Sequence, residues 1–233
     1  MTKFLGNLIN FEESTIRPTS GFQDSTASGV FNLHEQLMLN KQSIWPTSGV
    51  DDPATFVENL FSIDTYIGSS SSQTITNGID LSGEGGMVWY RRRDGAENNS
   101  IEDTVRGLDS VIYTDATNAE GDPDVYGIQA FNSNGFTAGQ GSVGGEYIAW
   151  TFRKAPKFFD VVQYSGTGSQ QSIAHNLGAT PGMIIHKRTD TNEDWRVYHR
   201  MANGGSSPED YIIQLNGDDD FSNDNTNFGG ASS

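Results

Sequence analysis

The chain has no cysteine. A disulfide frame and a thiolate metal site are therefore both excluded. Basic residues are scarce: 14 Lys and Arg stand against 30 Asp and Glu, a formal net charge of −16. Nucleic-acid phosphates need a basic face, so this balance excludes DNA and RNA as expected partners. No apolar run approaches the ~20 residues of a membrane-spanning helix, and the first residues lack the basic-then-apolar pattern of a signal peptide. No membrane insertion is expected. Hydrophobic residues make up a modest 34%, while glycine is plentiful at 27 of 233 residues. With many Ser, Thr and Asn, this composition predicts short strands joined by polar turns rather than helices. The length suffices for one large or two small domains with real cores.

One stretch occurs twice. Tyr66–Asp94 reads YIGSSSSQTITNGIDLSGEGGMVWYRRRD, and Tyr164–Asp190 reads YSGTGSQQSIAHNLGATPGMIIHKRTD. Tyr66, Gly68, Gln73 and Ile75 recur as Tyr164, Gly166, Gln171 and Ile173. Both copies then pass through a polar turn to Gly-Met, an apolar pair and a basic stretch closed by Asp. A matched order at a spacing of about 97 residues predicts a tandem duplication of one small domain.

The remaining organisation follows in chain order. Residues 1–54 read as an N-terminal arm, one helix and a linker. The helix spans 30–42, with Val30, Leu33, Leu37 and Met38 on one stripe, and ends before Trp45-Pro46. These residues, with Trp45, are the candidate attachment and oligomerisation set. Residues 55–155 read as a first β-sandwich repeat, with strands at 61–67, 74–75, 87–91, 111–114, 128–131 and 146–153. Alternation assigns Met87 and Trp89 to the core face. Residues 156–233 read as a second repeat, with strands at 159–164, 172–173, 183–187, 195–199 and 211–215. The counterpart of Tyr147–Phe152 would fall beyond Ser233. The second repeat is therefore expected to be incomplete, completed by a continuing chain or by another chain. The predicted class is all-β.

Candidate chemistry is sparse. Gly166-Thr167-Gly168 lacks the helix a phosphate loop needs. His186 and His199 lie on neighbouring predicted strands but have no matching pair in the first copy, and His34 and His175 stand apart; solvated or core-edge histidines are the plainer reading than zinc. No G-x-S-x-G anchors a serine hydrolase. Nothing in the spacing brings Glu146, Asp160 or Glu193 into a glycosidase pair. Glu120, Asp122 and Asp124, and Asp218-Asp219-Asp220, are oxygen-rich enough for calcium but lack EF-hand spacing; a solvated loop is the default. Arg91-Arg92-Arg93 and Lys187-Arg188 read as local ion-pair formers. Trp89, Tyr90, Trp195 and Tyr198 read as core rather than a sugar-stacking surface. No catalytic set and no cofactor site are expected, so the chain is not expected to be an enzyme.

The Y-x-G-x-x-x-x-Q-x-I element, PGMIIHKRTD, W-x-V-Y-H and the junction GGEYIAWTFRKAPKFFDVVQYSGTG resemble a repeated domain of marine phage (cyanophage-type) tail fibre and other virion structural proteins. The resemblance covers about residues 58–215, and the segment around Phe31–Gln36 and Trp45-Pro46 resembles a short N-terminal module of such proteins. It implies localisation to the virion and a part in assembly or host attachment, with no catalytic residue to carry over. The expected protein is the N-terminal part of a trimeric tail fibre. Its implied partners are sister chains in a homotrimer, the phage tail or other virion proteins, and a host surface glycan. A capsid-bound head fibre or decoration protein is the alternative within the class. A carbohydrate-binding or depolymerase module is the alternative from another class.

Overall fold

A computed structural model describes residues 56–223 and Phe228. The predicted arm and helix, and with them Val30, Leu33, Leu37, Met38 and Trp45, lie outside the described residues. From Val57 onward the chain forms one compact unit. It is all-β: every ladder is antiparallel, and the helical segments among the described residues are short 3-10 turns.

The strands are β1 (Phe61–Ile67), β2 (Gln73–Thr76), β3 (Gly86–Arg92), β4 (Ser100–Asp103), β5 (Ile112–Tyr113), β6 (Ile128–Asn132), β7 (Gly135–Ala138), β8 (Glu146–Arg153), β9 (Met183–His186), β10 (Arg196–His199), β11 (Tyr211–Gln214) and β12 (Ser222–Asn223). They form sheets of order β1-β8-β3-β4-β5, β2-β7-β6 and β12-β11-β10-β9. The first two face each other across a core of Val88 and Ala149 from one sheet and Ile128, Phe136 and Ala138 from the other, with Ile79 and Leu81. Fully burying a side chain the size of Phe136 contributes roughly 1.5–3 kcal/mol. The first half of the unit is thus a sandwich.

Strand β8 sits between β1 and β3 because its sequence suits both faces. Tyr147, Ala149 and Thr151 are buried on the sandwich side. On the other side Phe152 meets Phe61 at 4.8 Å and Trp150 meets Trp89 at 5.9 Å between ring centroids. The expected core face of β3 is corrected here. Val88, not Met87 or Trp89, points into the sandwich and is fully buried. Met87 and Trp89 pack on the opposite face, against Ile101, Ile112 and Trp195. Both faces of this sheet are covered, so Met-Val-Trp-Tyr has no polar side by which alternation could choose.

The second half repeats the hairpin register of the first. Met87 pairs with Asp103 and Tyr90 with Ser100; Met183 pairs with His199 and His186 with Arg196. Each second-half residue lies 96 positions after its counterpart. The closing bonds also match: Thr104 N–H donates to Gly86 O at 3.0 Å and Arg200 N–H to Gly182 O at 2.9 Å. Further on, the Val111–Gly121 bridge corresponds to the Ile212–Ser222 pair, 101 positions later. Earlier, Gln73 Nε2 donates to Ile67 O at 2.8 Å and Gln171 Nε2 to Ser165 O at 3.1 Å, a shift of 98.

Two expected strands are absent. Residues 159–164 and 172–173 form no ladder. Their counterparts β1 and β2 pair with β8 and β7 respectively. No described residue supplies the equivalents of β6, β7 or β8, so these segments have no partner to make them strands.

Candidate functional site

Three polar or open features bear on function. The first is a buried network. Strand β4, Ser-Ile-Glu-Asp, is buried at all four positions. Glu102 accepts the Tyr90 hydroxyl at 2.7 Å and Ile128 N–H at 3.0 Å. Burial pushes its carboxyl up to about 7, although those donors and Arg106 pull it down. Burial and the same carboxylate hold the Tyr90 hydroxyl well above its usual range. Beside it, Arg106 pairs with Asp103 at 2.6 Å and Glu120 at 3.1 Å and donates to Ile101 O at 3.2 Å. Every group in this network has a protein partner, which is the arrangement of a structural brace.

The second feature is the joint between the halves. The Trp195 ring is buried among Ile101, Ile112, Met87 and Trp89, and its Nε1–H donates to Tyr113 O at 2.7 Å. Around it the loop after β5 meets the loop after β9. Glu193 N–H donates to Thr117 O and Glu120 N–H to Thr189 O, both at 2.8 Å. Lys187 Nζ donates to the carbonyls of Thr117, Arg188 and Glu193. Burial lowers its pKa, against the pull of nearby acids.

The third is the outer edge of β9. It ends its sheet, and Met183 is 56% exposed whereas its counterpart Met87 is packed. Phe158, Val162 and Tyr164 are also exposed. Tyr164 is tied to His186 by a 2.8 Å contact between its hydroxyl and Nε2. Burial, then the charges of Arg196 and Lys187, lowers the His186 pKa and favours the neutral ring.

The other candidate residues are dispersed. His186 and His199 occupy opposite ends of the β9–β10 ladder. Glu146 pairs with Arg93, Asp160 with Lys154, and Glu193 with Arg196. The basic runs are divided among separate partners: Arg92 binds Asp94 and Glu97, and Arg188 binds Asp190. Glu120 belongs to the Arg106 network, while Asp122 Oδ1 accepts Asp124 N–H at 2.7 Å beside a cavity of about 210 Å³. No three His, Asp or Glu among the described residues are placed to hold a metal ion. Gly166 and Gly168 are exposed, with no helix following them. Of the aromatic set, Trp195 is in the joint and Tyr90 in the brace, so the four do not form one surface. Sequence reasoning missed the roles of Glu102, Arg106 and Trp195. For Trp195 a signal existed: it stands 96 positions after Asn99, a polar-to-aromatic change inside an otherwise matched hairpin.

An all-β unit of antiparallel sheets, braced by buried acids and jointed by one tryptophan, defines the class. Residues 57–233 match a domain of unknown function, DUF7483, and the chain belongs to that family. No curated protein and no solved structure matches the chain.

Proposed function

We propose that the chain is a structural component of a bacteriophage virion, the N-terminal part of a trimeric tail fibre that attaches to the tail and serves host recognition. In this reading the two halves are tandem β-sandwich-like repeats, the second incomplete, and residues 1–54 join the chain to sister chains or to the particle. The observation that carries it is the serial build. One hairpin register recurs after 96 residues, and a tryptophan joint locks the halves in line. Such construction lengthens a rod. The phage-type motifs quoted above supply the particular kind of rod.

The test is deletion of residues 1–45 in the phage that carries the chain, followed by mass spectrometry of purified particles. The truncated chain is expected to remain folded and soluble and to be missing from virions. Normal incorporation would contradict the assignment. Imaging of labelled particles separates a tail position from the capsid position of a head fibre or decoration protein. A glycan array with a turnover assay separates both from a carbohydrate-binding or depolymerase module.

A further inference from the structure

Two glycines of the second half have no steric duty in their own surroundings. A Cβ at Gly182 would meet nothing nearer than the Arg200 side chain at 3.6 Å, and one at Gly166 nothing within 4 Å. Their counterparts differ. A Cβ at Gly86 would lie 2.1 Å from Phe152 O and 2.6 Å from the Leu81 side chain. One at Gly68 would lie 2.4 Å from Ser142 O and 2.8 Å from the Tyr147 ring. Phe152 and Tyr147 belong to β8, and Ser142 to the loop leading into it. The first-half glycines make room for β8, and the second half keeps the same room with nothing described in it.

The backbone of β9 is turned to match. In the first half, Gly86 O accepts from Thr104 on the β4 side, whereas Gly85 O accepts from Lys154 and Arg93 N–H donates to Glu146 O on the β8 side. Residues 85, 87, 89, 91 and 93 therefore present their polar backbone groups to β8. Shifted by 96, this alternation aims the backbone of Met183 and Ile185 at the open edge. Across the gap run residues 157–165, the counterpart of β1, whose only ladder is with β8.

We propose that β9 is an acceptor edge for strand addition. An extended segment of a separate polypeptide enters antiparallel to β9, between it and residues 157–165, carrying the side-chain alternation of β8. The first half sets the chemistry of that strand. In the β3–β8 ladder Phe152 lies opposite Met87 and Trp150 opposite Trp89, while Thr151 lies opposite Val88 and Ala149 opposite Tyr90. The incoming strand therefore places aromatic residues opposite Met183 and Ile185 and small ones opposite Ile184 and His186. Main-chain bonds provide the affinity and the alternation fixes the register. The proposal rests on the internal correspondence and not on the virion reading.

The test uses the full chain and a synthetic peptide with the chain's own sequence 145–154. Amide hydrogen exchange is followed with and without peptide. Saturating peptide is expected to slow exchange roughly tenfold or more at Met183, Ile185 and residues 157–165. A scrambled peptide is expected to change nothing. Gly182→Val keeps the fold, because its side chain enters open space, and abolishes the protection. Edge amides already slow in the chain alone would mean that other residues of this chain, or a second copy detected by sedimentation, occupy the edge; either overturns the proposal. So does protection that survives Gly182→Val, or none at about millimolar peptide.

Discussion

Tyr90 donates its hydroxyl to the Glu102 carboxylate at 2.7 Å inside the sandwich, and the same carboxylate receives the Ile128 amide. One acid thus links β3, β4 and β6. Its folded pKa of about 7 lies above the ordinary carboxylate value. The folded state therefore binds this proton more tightly than the unfolded chain does. Its contribution to stability is full below the ordinary carboxylate range and is lost as pH rises through about 7. A shift of this size is worth about 3 kcal/mol. Asp94, Asp160 and Asp190 are held low by their partners and act in the opposite sense, so the comparison must be with a variant. Urea unfolding from about pH 4.5 to about pH 8 is expected to show wild type losing up to about 3 kcal/mol relative to Glu102→Gln. A pH-independent difference would contradict this.

Arg106→Met leaves Asp103 buried without its cation. Stranding a buried charge costs about 3–5 kcal/mol. Arg188→Met removes an exposed pair with Asp190, and such pairs contribute only about 0–1 kcal/mol. Chemical denaturation of the two variants should separate them clearly. Similar losses would mean that the Asp103 carboxylate is less dependent on Arg106 than its burial implies.

Gly68→Ala is expected to destabilise strongly, because its new methyl meets the Ser142 carbonyl and the Tyr147 ring. Overpacking of this kind costs about 1–3 kcal/mol. Gly166→Ala meets nothing and should stay within about 0.5 kcal/mol of wild type. Melting temperatures of the pair decide the point.

Trp195→Ala removes the largest side chain of the joint, and such truncations cost about 3–5 kcal/mol. Trp195→Phe preserves much of the packing but takes the donor from Tyr113 O, a loss of about 1–3 kcal/mol. In both variants exchange in β10 and β11 should quicken more than in β1 or β8. Equal quickening throughout would show that the halves unfold together whatever joins them.

The legible parts of this fold were the strands whose residues carry a period of two. Strand β8 stood out through Tyr147–Phe152, and the β3 and β9 strands through their shared Gly-Met start. Strand β4 was invisible because Glu102 and Asp103 look like loop residues until Tyr90, Ile128 and Arg106 are seen to satisfy them. Strand β7 was missed because Gly135 and Ala138 carry little β signal around Phe136. Residues 159–164 show the converse. Their apolar content is that of β1, but a strand needs a neighbour, and local sequence cannot say whether one is present. The joint lay beyond reach for the same reason: Trp195 acts across the space between the halves, and its hairpin alone reveals nothing of what the indole will meet.

The first half carries Asn99 at the position where the second carries Trp195. The contact between them is therefore a plug in one member and a socket in the other, with no two-fold relation. The first half has the socket, formed by Ile101, Ile112, Met87 and Trp89, and lacks a plug of its own. Residues Met183 and Ile185 repeat part of that socket on the second half, exposed and without an indole. A column assembled through this contact has a polarity: its growth is confined to the socket end, and the first half is its natural terminus.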